Sequence, residues 1–277
     1  MENLRRLVIS RRAAESVKKG YPWVYDTEVL EPGTVSDGEL CLLFTEKGRY
    51  AGTAFYNSKS RLRARVVSRN ASDTVDEDFW RRRVRWALEY RMKTMGRDFE
   101  DCRLIFGDAD GFPGLTLDRY GDVLSAEVMC LGTDRIKDLI FRLCTEELRS
   151  CGAEVKALYE RSTGRLRQLE GLGDSEGYRL TDMLGEPPDG FAEINENGLR
   201  ILVDVAGGQK TGYFLDQKYN RAAAAKLSRG LTVLDCCTHT GGFALNCAAA
   251  GADQVLGIDV SEPALEMARR NAGLNGL

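Results

Sequence analysis

From residue 231 onward the sequence alternates strand, helix, strand, helix, an order that requires the two strands to lie parallel in one sheet. The junction is Val233-Leu234-Asp235-Cys236-Cys237-Thr238-His239-Thr240-Gly241-Gly242-Phe243, where an apolar strand enters a turn of small residues and an apolar helix follows at once. Glycines let a backbone approach a ligand closely, and the start of the next helix directs unpaired N–H groups at it. The second strand, Val255-Leu256-Gly257-Ile258-Asp259, ends in a carboxylate. It comes about 20 residues further on, the spacing at which an acidic residue reaches ribose hydroxyls. Ahead of both lies the glycine-rich run Gly207-Gly208-Gln209-Lys210-Thr211-Gly212-Tyr213-Phe214-Leu215-Asp216-Gln217. Together the three segments describe a holder for a nucleotide-type cofactor. Helices are predicted over 243–250 and 262–272.

The rest of the chain supplies at least one further domain, since 277 residues allow two or three. No apolar run approaches the ~18–20 residues that span a bilayer, and the first residues lack the apolar stretch of a signal peptide. These features predict a cytoplasmic protein that does not engage membranes. The eight cysteines form no CxxC pair and mostly sit in apolar segments, so buried thiols are expected. His239 is the only histidine, and ligand spacing for zinc is lacking, so no metal is expected. Residues 1–70 hold 13 Lys and Arg against 8 Asp and Glu, although the whole chain carries −3. The basic end is therefore the predicted nucleic-acid face, with a merely solvated charged surface as the alternative.

Residues 1–72 read as mostly β, with a helix over 11–19 closed by Gly20 and strands at 40–44, 50–56 and 62–68. In Arg61-Leu62-Arg63-Ala64-Arg65-Val66 the period of two predicts three guanidinium groups, those of Arg61, Arg63 and Arg65, on one strand face, an arrangement suited to phosphates. Residues 70–75 look like a linker. A helix over 76–95 follows, with Trp80, Val84, Ala87, Leu88, Met92 and Met95 on one face and Arg81, Arg82, Arg83 and Arg85 largely off it. Strands at 102–106, 115–120 and 123–130, a helix over 134–151 and a strand at 155–160 make residues 73–190 an α+β middle domain. Its end, 161–189, is rich in glycine, carries Pro187-Pro188 and reads as a connecting segment. The loop Asp108-Ala109-Asp110-Gly111-Phe112-Pro113-Gly114 reads as a structural turn because an EF-hand would need more carboxylates. A hairpin turning at Glu196-Asn197-Gly198 opens the third region, 191–277.

Taken with Gly20-Tyr21-Pro22-Trp23-Val24-Tyr25, the Asp108 loop and Asp118-Arg119-Tyr120-Gly121-Asp122, these segments make the chain similar, from about Leu4 to its end, to bacterial S-adenosylmethionine-dependent 23S rRNA 5-methylcytosine methyltransferases with an N-terminal PUA domain. The resemblance implies a β-barrel-like PUA domain, the α+β domain, and the first half of a Rossmann-like α/β methyltransferase domain. Members of that family continue into a DPP-type motif and a strand bearing the catalytic cysteine. The expectation is therefore that the catalytic residues lie beyond Leu277 and that this chain is inactive alone. The resemblance also implies S-adenosylmethionine as cofactor, rRNA as partner, and a homodimer as an admissible assembly.

Within this frame Asp259 takes the ribose hydroxyls, Thr238, Gly241 and Gly242 pass under the methionine moiety, and Asp235 holds its ammonium. Similarity to the family adds a loop over 209–217 that closes on the cofactor, Phe214 packing near it and Asp216 reaching its polar groups. Structural alternatives stay open: Asp235 as a strand-end cap, Asp259 as a helix cap, and His239 as a turn residue. Two other functions compete. A dinucleotide-dependent oxidoreductase would share strand, turn and acid, but would be expected to carry GxGxxG, where this chain has Thr240-Gly241-Gly242. A non-enzymatic RNA-binding protein would need only the basic front domain.

Overall fold

A computed structural model describes residues 5–185 and 189–277; residues 1–4, where the resemblance and the reading of the amino terminus begin, and Pro187-Pro188 lie outside the described residues. The front domain consists of β1 (Arg5–Ile9), α1 (Arg11–Lys18), β2 (Trp23–Val24), β3 (Val29–Glu31), β4 (Leu40–Thr45), β5 (Tyr50–Tyr56) and β6 (Ala64–Ser68). Helix α1 starts where the Ser10 hydroxyl accepts the Ala13 N–H, and buries Ala13 and Val17. The strands form one sheet in the order β2-β6-β5-β4-β1-β3, with β1 parallel to β4. Among the described residues β2 and β3 make no ladder with each other, so the expected barrel is an open sheet.

The predicted arginine row does not form. Strand β6 begins only at Ala64, because Asn57 N–H bonds the Arg63 carbonyl and closes a loop before it. Arg61 is exposed, Arg63 donates to the carbonyls of Asn57 and Ser58, and Arg65 is largely buried and paired with Glu170 at 3.0 Å. A buried guanidinium needs such a partner, and that partner lies over a hundred residues away, where the strand's own pattern gives no hint of it.

The middle domain contains α2 (Glu77–Met95), β7 (Asp101–Phe106), β8 (Leu115–Tyr120), β9 (Val123–Val128), α3 (Leu131–Ser150), β10 (Ala157–Ser162), α4 (Arg165–Leu169), β11 (Ser175–Arg179) and α5 (Thr181–Leu184). Its five strands lie in the order β11-β10-β9-β8-β7. The segment expected to be a connector instead completes this sheet, with β11 antiparallel to β10. Its Glu170 also accepts from Asn57 of the front domain. Nor does the linker at 70–75 separate independent bodies. Phe55 and Val67 of the front domain belong to the same apolar core as Trp80, Phe112 and Phe141, and the Phe55 and Trp80 rings stack at 6.0 Å. In the Asp108 loop, the Asp110 carboxylate is held by the Arg91 fork at 2.7 and 2.8 Å.

The third region holds β12 (Phe191–Glu196), β13 (Leu199–Asp204), α6 (Lys218–Ser228), β14 (Thr232–Cys236), α7 (Gly242–Ala249), β15 (Gln254–Ile258) and α8 (Glu262–Leu274). The β12–β13 hairpin turns on Asn197 and Gly198, both at positive φ (55° and 87°), as a two-residue turn matched to strand twist demands. Strands β14 and β15 are parallel in register from Thr232 with Gln254 to Cys236 with Ile258. One face of this pair carries Leu234, Leu256 and Ile258 to the surface, at 59%, 61% and 47% exposure. Five cysteines are buried, as the sequence suggests, and burial pushes the Cys41 and Cys102 thiols up to about 12. Cys151, Cys236 and Cys237 are exposed, contrary to expectation: Cys236 shares the outward face of β14 and Cys237 lies in the turn after it. Among the described residues no helix is long and apolar enough to cross a membrane, and no cluster of three or more His, Cys, Asp or Glu is placed to hold a metal ion.

Candidate cofactor-binding site

The carboxyl ends of β13, β14 and β15 open on one cavity of about 620 Å³. The turn after β14 builds its floor. Cys237 and His239 adopt left-handed backbone (φ 61° and 52°), a conformation that costs a side-chain-bearing residue stability, and Gly241 follows at 86°. Hydrogen bonds tie this turn to its surroundings, among them Thr238 N–H to the Ile258 carbonyl at 3.0 Å, Thr238 Oγ1 to Asp235 at 2.5 Å, and, as the last, Ala244 N–H to Asp235 at 3.0 Å. The last sets a carboxylate at the start of α7, where the helix's free N–H groups favour negative charge.

Asp259 stands at the mouth of the cavity. One oxygen accepts the His239 N–H and the other the Ser261 N–H, both at 2.9 Å. These two backbone donors, Ser261 foremost, hold its carboxyl below the usual carboxylate range. It therefore ties the turn to the start of α8 while remaining ionised, and it lines the cavity. A second carboxylate, Asp204 at the end of β13, lines the same space and accepts from the N–H groups of Ala206 and Gly207. Phe214 packs edge-on to His239 with centroids 5.3 Å apart, and Ala264 and Met267 of α8 supply an apolar wall. Burial depresses the His239 pKa below its ordinary 6.5, with the charge of Asp259 opposing. Thr240 Oγ1 is enclosed in this lining with no hydrogen-bond partner among the described residues.

The glycine-rich loop is held from outside the site. Thr211 Oγ1 donates to Asp118 at 2.6 Å, the Tyr120 hydroxyl meets the backbone of Tyr213, and Arg103 grips Asp118 with two bonds. The Asp118-Arg119-Tyr120 motif thus anchors the glycine-rich loop to the middle sheet. Behind the turn, Glu196 receives the Tyr213 hydroxyl at 3.0 Å and Arg221 at 2.8 Å in a buried network. The Arg221 guanidinium fills the space that a side chain at Gly242 would need.

Of the predicted residues, Phe214 and Asp259 line the cavity. Asp235, Thr238, Gly241 and Gly242 form the framework beneath it, and one oxygen of Asp235 accepts from both Thr238 and Ala244. Asp216 is exposed in a short 3-10 turn, outside the cavity lining. Asp204 and Cys237 were not predicted, whereas Thr240 lies inside the turn 238–242 that was. Asp204 is separated from Asp259 by more than fifty residues, and only a hairpin ending beside the parallel pair could have pointed to it.

A front domain ahead of a βαβα cofactor unit defines a two-part class, and the sequence matches both parts: residues 7–69 fit the PUA-like domain family, and residues 167–277 the S-adenosylmethionine-dependent methyltransferase family. The chain belongs to the ribosomal RNA large subunit methyltransferase I family. It is 38% identical over 266 residues to the protein of that name from Aeromonas hydrophila subsp. hydrophila, covering 95% of this chain and 65% of the relative. With the Erwinia tasmaniensis protein it shares 33% over 274 residues, covering 98% and 67%. The chain thus spans about two thirds of the length of these relatives. Its fold matches a solved candidate SAM-dependent methyltransferase from Streptococcus mutans with a TM-score of 0.80 at 21% identity, over 99% of this chain and 68% of that one.

Proposed function

We propose that the cavity binds S-adenosylmethionine and that the chain serves methylation of large-subunit rRNA, the product being 5-methylcytosine in 23S rRNA. The observation that carries this is the pair of carboxylates, Asp204 at the end of β13 and Asp259 after β15, lining one cavity. Two anions in a confined space attract a ligand with a sulfonium, an ammonium and ribose hydroxyls, and repel a diphosphate. That disfavours the dinucleotide reading. The one arginine in the lining, Arg161, is occupied by the carbonyls of Ala206 and Gly208.

The chain's own residues bind and orient. Asp259 accepts from the ribose, Phe214 covers a flat ring, Asp204 faces the cationic end, and Thr240 Oγ1 gains the partner it lacks. Bound there, the cofactor supplies an electrophilic methyl group. No residue of the cavity is assigned a role as acid, base or nucleophile. The relatives named for rRNA methylation and the PUA-like front domain support RNA as the substrate class.

The test is calorimetric binding of S-adenosylmethionine and of NAD to the wild-type chain and to Asp259→Ala. The wild type should prefer S-adenosylmethionine, and the variant should lose about 1–3 kcal/mol of its binding. Equal affinity of the two proteins would show that Asp259 only ties the turn to α8. Preference for NAD would overturn the reading as a whole.

A further inference from the structure

The arginine-rich helix α2 presents more aromatic surface to solvent than its packing requires. Trp86 and Tyr90 are 59% and 61% exposed. They stand four residues apart, hence side by side on one helix face, with Arg82 one turn before them and Lys93 one turn after. Among the described residues neither Arg82 nor Lys93 has an ion-pair partner, whereas Arg81, Arg85 and Arg91 are paired with Glu147 or Asp110. Two exposed acids lie beside the stripe, Asp78 one turn before Arg82 and Glu89 one turn before Lys93.

At Trp86 the stripe meets a cavity of about 300 Å³ at the seam between the front and middle domains. Two guanidinium groups line it, those of Arg69 and Arg83. Among the described residues both donate to main-chain carbonyls, Arg69 to Val17 and Gly20 and Arg83 to Val67, and neither forms an ion pair, although the charge of Asp73 acts on Arg83. Arg83 is held in place by the absence of a side chain at Gly111, where any Cβ would collide with its terminal nitrogen. Its Nε is buried without a hydrogen-bond partner among the described residues. Asp108 shares this cavity and has one enclosed oxygen that also lacks a donor. The other carboxylates nearby are engaged: Asp73 accepts from Ser68 and Asn70, and Asp110 from Arg91.

We propose that this stripe and cavity form a binding platform for unpaired RNA, in which Trp86 and Tyr90 stack successive bases and Arg69, Arg82 and Arg83 hold the adjoining phosphates. Cations beside exposed aromatic rings suit a chain that alternates phosphate and base, because every base offers a π-face while every linkage carries a charge. A duplex hides its bases, so the platform selects single strands. The inference rests on the proposal that RNA is the substrate class, and names where on the chain an unpaired stretch would lie.

Fluorescence anisotropy with a short unstructured oligoribonucleotide, and with a duplex of equal length, tests it on the full chain. Trp86 is far more exposed than the other two tryptophans, so the single strand should quench the protein's emission. Trp86→Ala should weaken single-strand binding by about tenfold or more, as expected for loss of one stacked base. Arg82→Gln should weaken it and lower its salt dependence, and Trp86→Phe should keep binding while losing the quench. S-adenosylmethionine affinity should be the same in all variants. Wild-type RNA affinity in Trp86→Ala and Arg82→Gln would overturn the platform and leave the substrate class standing. So would a Trp86→Ala effect confined to self-association, which would make the stripe a protein contact. No RNA binding by the wild type would overturn both.

Discussion

Asp259 and His239 illustrate how one side chain serves two masters in a tight turn. The Asp259 carboxylate fixes the His239 backbone, and the His239 ring in turn sits half-buried against Phe214. Burial favours the neutral imidazole. The folded pKa therefore lies below the unfolded value of 6.5, and the unfolded chain takes up a proton first as pH falls. Stability should be independent of this group above about pH 6.5 and decline as pH drops from there through the folded pKa. Urea midpoints measured against pH should show that slope in the wild type and not in His239→Gln, and an NMR titration of this single imidazole should give a value under 6.5. An imidazole titrating above 6.5 would contradict the burial argument. At this scale the sequence was informative for Asp259, because strand polarity alone puts it at the sheet's carboxyl edge. It was silent on the partners of Asp235, Thr238 and Ala244, which are local but depend on a left-handed turn that spacing does not reveal.

At the level of elements, the strongest local patterns survived: the Asn197-Gly198 hairpin, the parallel pair of β14 and β15, and the apolar face of α2. What local pattern could not supply was partnership at a distance. The glycines of 161–189 looked like a linker, yet β11 pairs with β10 and Glu170 reaches the front domain. The buried Arg221–Glu196 pair is the corresponding device in the third region. It joins β12 to α6, with Asn246 of α7 and the Tyr213 hydroxyl on the same carboxylate. Removing one charge would strand the other in an apolar setting. Glu196→Ala should therefore cost about 3–5 kcal/mol, read as a fall in the denaturant midpoint. A loss below about 1 kcal/mol would mean that water reaches Arg221 and that the network is not the fastener it resembles.

Across the whole molecule, three units share surfaces rather than hanging on tethers. The front sheet and α2 meet through Phe55 and Trp80, and the middle sheet reaches the glycine-rich loop through Asp118, Tyr120 and Thr211. The outward face of β14 and β15 is different in kind. Its leucines and isoleucine stand in water beside Val260, which is fully exposed. A protein with a mean hydropathy of −0.33 and an excess of acidic residues should pass through a phenyl column early as ammonium sulfate is lowered. This chain should instead be retained, because retention reads local patches rather than average composition. Leu234→Lys combined with Leu256→Lys should release it at distinctly higher salt with its melting temperature little changed. In the hands of a purifier, then, four side chains on one short ribbon would outweigh the chemistry of the other surfaces.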